Sequence, residues 1–397
     1  MSPVACDIAF TTCLQRRGWG LLCLTGNMSS TSADILLVVV VLTALAFDFT
    51  NGFHDTANVV ATTISTRAMP PRVAVIYAAV FNFLGAFISI KVATTIAKGI
   101  VSTGQITMSV VFAGLVGAIS WNLITWYRGL PSSSSHALIG GLIGAVLVAS
   151  GTSAVQWAGV VGKVILPALI SPTLAVIVAA MSMFIIYRTL AHRPPDFVSR
   201  GFRLGQVLSS ALLSLSHGTN DGQKTMGVIT LALVAHGSLS AAHLQVPTWV
   251  IVSAATAMGL GTYAGGWRII KTTGTRIIKM DAAQGFAAQG GGAAVILAVS
   301  HFGFPISTTH VINGGVMGAG AARRLSAVRW GVAGNIVTAW LLTLPASGAS
   351  GAAVYGVTQI FGRGVTGPLV VMIGSCVALM GLALWLSRRR MPAAVTR

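Results

Sequence analysis

The sequence contains no glutamate and only seven aspartates, and charged residues make up 8% of its 397 residues. A soluble domain carries about 25% charged residues, so this shortage excludes a domain surrounded by water. Hydrophobic residues reach 54%, and several apolar runs approach the length of about 20 residues that a spanning helix needs. The composition predicts a multi-pass membrane protein in contact with the lipid bilayer.

Positive charge is in excess, since 25 lysines and arginines give a net charge of +18. These residues lie in short loops between apolar runs. Nucleic-acid binding needs a basic face on a polar domain, so it is excluded. The positive-inside rule instead places the basic loops in the cytoplasm. We expect the chain to lie in the cytoplasmic (inner) membrane.

Cysteine is also scarce, and the spacing of the four cysteines fits neither a metal site nor a disulfide framework. They are Cys6, Cys13, Cys23 and Cys376. We expect no cofactor.

Residues 1–32 are interpreted as an N-terminal extension, with Met28 as the natural start, because their apolar stretch is too short for a good signal peptide.

Two motifs occur twice in the same order. Asn51-Gly-Phe-His-Asp-Thr-Ala-Asn is matched by His217-Gly-Thr-Asn-Asp-Gly-Gln-Lys, and Pro131-Ser-Ser-Ser-Ser-His by Pro305-Ile-Ser-Thr-Thr-His. Two repeated motifs at nearly the same spacing favour duplication over chance. The predicted divisions are a first repeat at 33–190, a cytoplasmic linker at 191–205, a second repeat at 206–347 and an extra helix with a basic tail at 348–397.

Charge predicts how the two repeats are oriented. Arg67 and Arg72 follow the first aspartate motif, whereas the matching stretch 232–248 has no lysine or arginine. Conversely, the stretch after the first hairpin motif is uncharged, and three arginines follow the second. Equivalent loops on opposite sides indicate an inverted repeat. The predicted fold is an all-α multi-pass membrane protein with an inverted-topology repeat, two re-entrant hairpins and discontinuous helices.

The serine- and threonine-rich motifs predict an anion site. Proline suits the first turn of a helix, and Ser or Thr caps its exposed N–H groups. Such a helix start binds anions, including phosphate. A single motif would favour an ordinary surface turn, but the pair at equivalent positions favours a binding site. The candidate anion-binding residues are Ser132, Ser133, Ser134, Ser135, Ser307, Thr308 and Thr309.

Asp55 and Asp221 lie within apolar segments, where an aspartate costs about 2.5–3.5 kcal/mol. We interpret them as cation-coupling residues in breaks of their helices, although a structural role is compatible. The remaining candidates for cation coupling are Asn51, His54, Asn58, Asn220 and Lys224. Asp48 has Ser214 as its counterpart, and we interpret it as a local cap.

Three further histidines lie inside these motifs and are candidate supporting residues, namely His136, His217 and His310. An imidazole with an unperturbed pKa of about 6.5 suits proton relay or phosphate contact. An equally good interpretation is that His136 and His310 cap and orient the hairpins.

These motifs resemble those of the inorganic phosphate transporter (PiT) family over about residues 34–345, and most closely its bacterial, proton-coupled branch. The resemblance implies low-affinity symport of inorganic phosphate with protons, in bacteria often as a neutral metal–phosphate complex. It also implies hairpins that hold the anion and cation coupling at Asp55 and Asp221. The inverted repeat is typical of alternating access.

Two departures from sodium-coupled members favour proton coupling. Those members tend to show Asn-Asp-x-x-Asn in both halves, but here His54 replaces the first Asn and Lys224 the last. Many family members also carry a glutamate in the hairpin arm. This chain has Gln289 at that position, and the resemblance makes it a further supporting candidate. Sodium-coupled phosphate or sulfate transport remains an alternative, as does an anion channel. An intramembrane hydrolase is disfavoured, because catalysis needs one activated serine rather than two equivalent sets. The sequence leaves a homodimer open.

Overall fold

A computed structural model describes residues 30–101, 106–240, 245–362 and 364–389 of the chain. These residues form helices and no β-strand. One isolated β-bridge pairs Val101 with Val155. The prediction of an all-α fold is therefore confirmed. The interpretation of Met28 as the start lies outside the described residues.

The helices of the first half come in the order long helix, two shorter helices, two hairpin arms and a final long helix. They are α1 (Ser30–Ser65), α2 (Pro71–Gly85), α3 (Lys91–Gly99), α4 (Met108–Arg128), α5 (Ser134–Ser150), α6 (Trp157–Val160) and α7 (Leu166–Leu190). A π-helical turn at Val161–Ile165 joins α6 to α7.

The second half repeats this order. Its helices are α8 (Pro195–His236), α9 (Thr248–Ala264), α10 (Trp267–Lys271), α11 (Ala282–His301), α12 (Thr308–Arg323) and α13 (Trp330–Ile360). An additional helix, α14 (Thr366–Arg389), lies within 348–397, where the sequence predicts an extra helix.

Five helices among the described residues are long and apolar enough to cross a membrane. They cover Ser30–Ser65, Met108–Arg128, Trp157–Leu190, Ala282–His301 and Trp330–Ile360. This supports the prediction of a multi-pass membrane protein.

The two halves interlock through reciprocal contacts. Helix α1 packs on α9 while α2 packs on α8, and α5 packs on α13 while α12 packs on α7. A two-fold relation between the halves produces this kind of exchange. Each of the two apolar cores is accordingly built from helices of both halves, so neither half folds around a core of its own.

Helices α1 and α8, which carry the two aspartate motifs, run antiparallel. The Oδ1 atom of Asp34, at the start of α1, lies 3.1 Å from the Nε2 atom of His236, at the end of α8. Near the opposite ends, Thr66 donates a hydrogen bond of 2.7 Å to Gln206. Equivalent helices that point in opposite directions support the inverted repeat, which remains a prediction.

The breaks expected at the aspartate motifs are not observed, because α1 and α8 run through them as continuous helices. The glycines there serve close packing instead. A Cβ atom on Gly52 would lie 2.4 Å from the Met258 carbonyl oxygen, and one on Gly218 would lie 2.1 Å from that of Asn82. The helices are discontinuous at the hairpin tips, where α5 and α12 begin.

This packing predicts that Gly218→Ala destabilises the protein, because a methyl group would push α8 away from α2. Overpacking typically costs about 1–3 kcal/mol. A Cβ atom on Gly290, in α11, meets nothing within 4 Å, so Gly290→Ala is the matched control. Thermal unfolding in detergent should show a lower midpoint for Gly218→Ala alone. Equal midpoints would contradict the packing role.

The antiparallel arrangement predicts that equivalent loops lie on opposite sides of the membrane. Thr152 and Ser326 are exposed and lie in equivalent 3-10 turns after α5 and α12. Single cysteines at these positions, in a chain whose native cysteines are replaced, should react with an impermeant thiol reagent from opposite sides of sealed vesicles. Labelling of both from one side would contradict the inverted repeat.

Candidate functional site

Each hairpin tip is a short non-helical segment followed by a capped helix. Helix α5 begins at Ser134 and α12 at Thr308. The Ser133 Oγ accepts a hydrogen bond from the His136 N–H at 3.1 Å, and the Ser307 Oγ accepts one from the His310 N–H at 3.2 Å. The capping side chains are therefore the serines, while the histidines contribute only backbone donors to the caps.

The two tips meet in the interior of the molecule. Ser135 Oγ of the first hairpin donates to the Ile306 carbonyl oxygen of the second at 3.1 Å. The rings of His136 and His310 lie edge to face, with centroids 4.8 Å apart. The starts of two helices, whose first N–H groups lack partners within the helix, therefore converge on one place.

A central polar cluster surrounds this meeting point, and each member is at most 1% exposed. Its members are His54, Asp55, Asn58, Ser132, Ser134, Ser135, His217, Asp221, Lys224, Thr308 and Thr309. Both aspartate motifs and both hairpins contribute to it. Most of the predicted site residues are thus brought together.

Asp55 accepts hydrogen bonds from hydroxyl groups of both hairpins. Ser134 donates to its Oδ2 at 2.6 Å, and Thr309 donates to its Oδ1 at 3.3 Å. The His54 Nδ1 lies 2.8 Å from the same Oδ1. A carboxylate of the first half is thereby tied to both tips.

Asp221 is held by a buried cation as well as by a hydroxyl group. Lys224 Nζ contacts its Oδ1, Thr308 donates to its Oδ2 at 2.9 Å, and the His217 Nε2 lies 3.1 Å from that oxygen. Lys224 also contacts the Ser135 hydroxyl and donates to the Ile306 carbonyl oxygen at 2.8 Å. The lysine therefore points inward and bridges Asp221 to both tips.

Comparison with known proteins gives the site its context. A family model described as "Phosphate transporter family" matches residues 51–351, which include both aspartate motifs and both hairpins. The chain belongs to the phosphate transporter family. Because this is a family of transporters, the hydrolase alternative is set aside.

Similar proteins carry matching names. The chain is 52% identical over 357 residues to a "Probable low-affinity inorganic phosphate transporter" of Mycobacterium bovis, covering 90% of this chain and 85% of that one. It is 45% identical over 323 residues to a Bacillus subtilis protein of the same name, covering 81% and 96%. A solved structure titled "The sodium-dependent phosphate transporter" is similar, with a TM-score of 0.74 and 27% identity over 82% of this chain and 99% of that one.

Within this transporter, hydrogen bonds cross between the halves. Asn58 Nδ2 of the first half donates to Thr309 of the second at 2.9 Å, and to Thr308 at 3.4 Å. Atoms of Asp55, His217 and Asp221 able to bind a metal lie within 4.8 Å of one another. These three side chains could hold a cation, although Lys224 already contacts Asp221.

Two predicted residues, Ser132 and Asn220, hold the hairpins in place rather than contact the aspartates. Ser132 donates to Thr125 at 2.8 Å. Asn220 donates to Ser300 at 2.7 Å and to the Phe304 carbonyl oxygen at 3.2 Å, which fixes the second hairpin against α8.

Gln289 lies outside the central polar cluster. Its side chain donates to Thr63 at 2.5 Å and accepts from Ser209 at 2.9 Å, so it ties α11 to α1 and α8. Asn51 is buried, and its Oδ1 has no hydrogen-bond partner among the described residues. Neither residue contacts Asp55 or Asp221 through a hydrogen bond.

His136 and His310 lie behind the tips of the transporter. His310 stacks on Trp340 with ring centroids 4.1 Å apart, and both histidines line an apolar cavity between α7, α12 and α13. Their place beside apolar side chains favours orientation of the hairpins over direct contact with the aspartates.

Two side chains in the transporter's site escaped the sequence analysis as site residues. Thr125 Oγ1 lies 3.1 Å from the His54 Nε2, and Asn82 Oδ1 lies 3.2 Å from the His217 Nδ1. Both are buried polar residues in apolar helices. That is the signal by which they could have been found, but many such residues only join helices.

Proposed function

We propose that this chain is a low-affinity inorganic phosphate symporter of the cytoplasmic membrane. It is driven by protons, accepts phosphate also as a neutral metal–phosphate complex, and works by alternating access. The observation that carries this proposal is the meeting of two buried aspartates with two capped helix starts in one cluster.

The cluster combines groups that attract an anion with groups that repel it. Helix starts and hydroxyl groups bind phosphate oxygens, and Lys224 adds a positive charge. Asp55 and Asp221 oppose an anion, because like charges in a buried site repel strongly. Phosphate therefore enters favourably only together with protons or a cation, which is the basis of symport.

The same carboxylates offer a basis for selecting phosphate over sulfate. Phosphate at neutral pH keeps an O–H group that can donate a hydrogen bond, whereas sulfate has none. Asp55 or Asp221 can accept that hydrogen bond, while Ser134 and Thr308 turn their hydroxyl groups toward the other oxygens. With sulfate, a buried acceptor would be left unpaired, which typically costs about 1–3 kcal/mol.

Sodium coupling is the second candidate, because the similar solved structure is titled a sodium-dependent phosphate transporter. The position of Lys224 argues against it. Lys224 contacts Asp221, whereas its counterpart in the first half is Asn58. A sodium ion about 4 Å from the ammonium would be disfavoured by about 4 kcal/mol at an effective dielectric of 20.

Divalent metals enter the proposal as part of the cargo. Asp55, His217 and Asp221 supply oxygen and nitrogen atoms close enough to touch one ion. Because the metal–phosphate complex has no net charge, it would avoid both the repulsion of the two carboxylates for free phosphate and the repulsion of Lys224 for a free cation.

Uptake of radiolabelled phosphate into proteoliposomes tests the proposal. An inward proton gradient should raise uptake and drive accumulation above the external concentration, while sodium should have no effect and magnesium should support uptake. Excess sulfate should not compete. Uptake that stops at equal concentrations would indicate a channel, and uptake driven by sodium alone would overturn proton coupling.

A further inference from the structure

Asp48 is a buried acid that lies outside the central polar cluster and has no role in the function proposed above. It lies on α1, about two turns before Asp55, and its side chain is 0% exposed. Neither carboxyl oxygen has a hydrogen-bond partner among the described residues. Asn51 and Thr225 stand beside it, but without hydrogen bonds of normal geometry.

Among the described residues, no cationic side chain is free to serve as a counter-ion for Asp48. The buried residues of the described structure include three aspartates but a single lysine and no arginine. Lys224 contacts Asp221, and His54 lies against Asp55, so both of these carboxylates have a partner. Asp48 is left over.

The ionisable groups that face Asp48 from α8 are Asp221 and Lys224. The ionisable residues of the neighbouring helices α4 and α9 are exposed and lie near the helix ends. They are Tyr127, Arg128 and Tyr263. A buried carboxylate without a partner is far more costly than the neutral acid. In this arrangement, Asp48 therefore holds a proton.

We propose that Asp48 carries the proton whose movement is coupled to phosphate, an inference that rests on the proposed proton symport. When its surroundings open to water, the carboxyl O–H bond breaks and the proton passes to a water molecule. The carboxylate that remains is then stabilised by water and by Lys224. When the surroundings close again, a proton must return, because the bare charge cannot be buried without a partner.

Lys224 links this proton to the substrate site. In the closed arrangement, its ammonium group contacts Asp221 and both hairpin tips. An ionised Asp48 competes with Asp221 for the same ammonium, and so loosens the contact that joins the tips. The counterpart of Asp48 is Ser214, which donates to the Ser210 carbonyl oxygen within α8 at 2.8 Å. The proton site thus exists only in the first half.

The test uses the full chain in proteoliposomes and compares Asp48→Asn, which keeps the shape but cannot ionise, with wild type. Two measurements separate coupling from binding: uptake driven by a proton gradient, and exchange of labelled for unlabelled phosphate at equal pH. We expect uptake to fall at least tenfold and exchange to stay within twofold. Asp34→Asn, which alters an exposed aspartate on the same helix, should change neither.

Three outcomes overturn the inference while leaving the proposed function intact. Asp48→Asn with normal proton-driven uptake shows that the proton is carried elsewhere, and equal loss of uptake and exchange shows a structural role. If the Asn variant does not fold, Asp48→Glu replaces it in the test. This variant should keep proton coupling and shift the infrared band of the protonated carboxyl group. An unshifted band overturns the inference. Wild-type uptake that ignores the proton gradient would instead refute the proposed proton coupling itself.

Discussion

Replacing Ser134 and Thr308 together by alanine is expected to abolish measurable phosphate transport. In the structure, Ser134 donates to Asp55 at 2.6 Å and Thr308 donates to Asp221 at 2.9 Å, so each hydroxyl group lies where a helix start meets a carboxylate. A hydrogen bond to a charged group contributes about 1.5–3 kcal/mol. In the proposed phosphate-bound state, both hydroxyl groups donate to phosphate oxygens instead. Losing both should therefore weaken phosphate binding at least about 100-fold, since each 1.4 kcal/mol is tenfold.

Binding of radiolabelled phosphate to the purified variant measures this effect, and expression and thermal stability show whether the fold survives. Thr338→Ala is the matched control, because its exposed hydroxyl group donates only to the Gly334 carbonyl oxygen of its own helix. Normal uptake in the double variant would mean that both hairpin motifs are only structural turns.

Lys224→Met is expected to destabilise the transporter by about 3–5 kcal/mol, because it leaves Asp221 as a buried charge without its partner. The lysine side chain is 1% exposed and bridges Asp221 to both tips. The further change Asp221→Asn removes the orphaned charge, so the double variant should regain most of the lost stability. Thermal unfolding of both variants decides this, and a double variant no more stable than Lys224→Met would contradict it.

Lys224→Asn tests the role of the same ammonium group in ion choice. The change introduces the residue type found at the equivalent position of the first half, Asn58. It also removes the ammonium group that would repel a sodium ion from Asp221. Uptake at fixed pH should then gain sodium dependence, whereas His54→Asn should not produce it. The idea fails if the wild type is already driven by sodium, or if Lys224→Asn transports normally with unchanged proton coupling.

The repeated sequence motifs predicted well where helices α5 and α12 begin. The starts of α5 and α12 fall at Ser134 and Thr308, inside the motifs that proline and serine marked. Capping is local chemistry, which is why a short stretch of sequence reveals it. The continuous course of α1 and α8 was not predictable in this way. Whether Gly52 and Gly218 break a helix or admit a neighbour depends on Met258 and Asn82, which lie far away in sequence.

The composition of the central polar cluster was largely predictable, but its pairings were not. Lys224 could equally have reached the membrane surface, as lysines near helix ends often do. Its contact with Ser135 of the other half depends on how α8 packs against the first hairpin. That Asp48 has no hydrogen-bond partner among the described residues was equally unpredictable, because it depends on three-dimensional packing.

Lys224 and Asn58 occupy equivalent positions in the two halves, and this difference has a consequence for the protein without substrate. If the halves exchange roles during transport, identical halves would make the outward-facing and inward-facing states equal in free energy. A charged side chain in one half and an amide in the other remove that equality. Under alternating access, the empty transporter would then favour one orientation even without a gradient. This preference would set the fraction of molecules whose site is open to the outside.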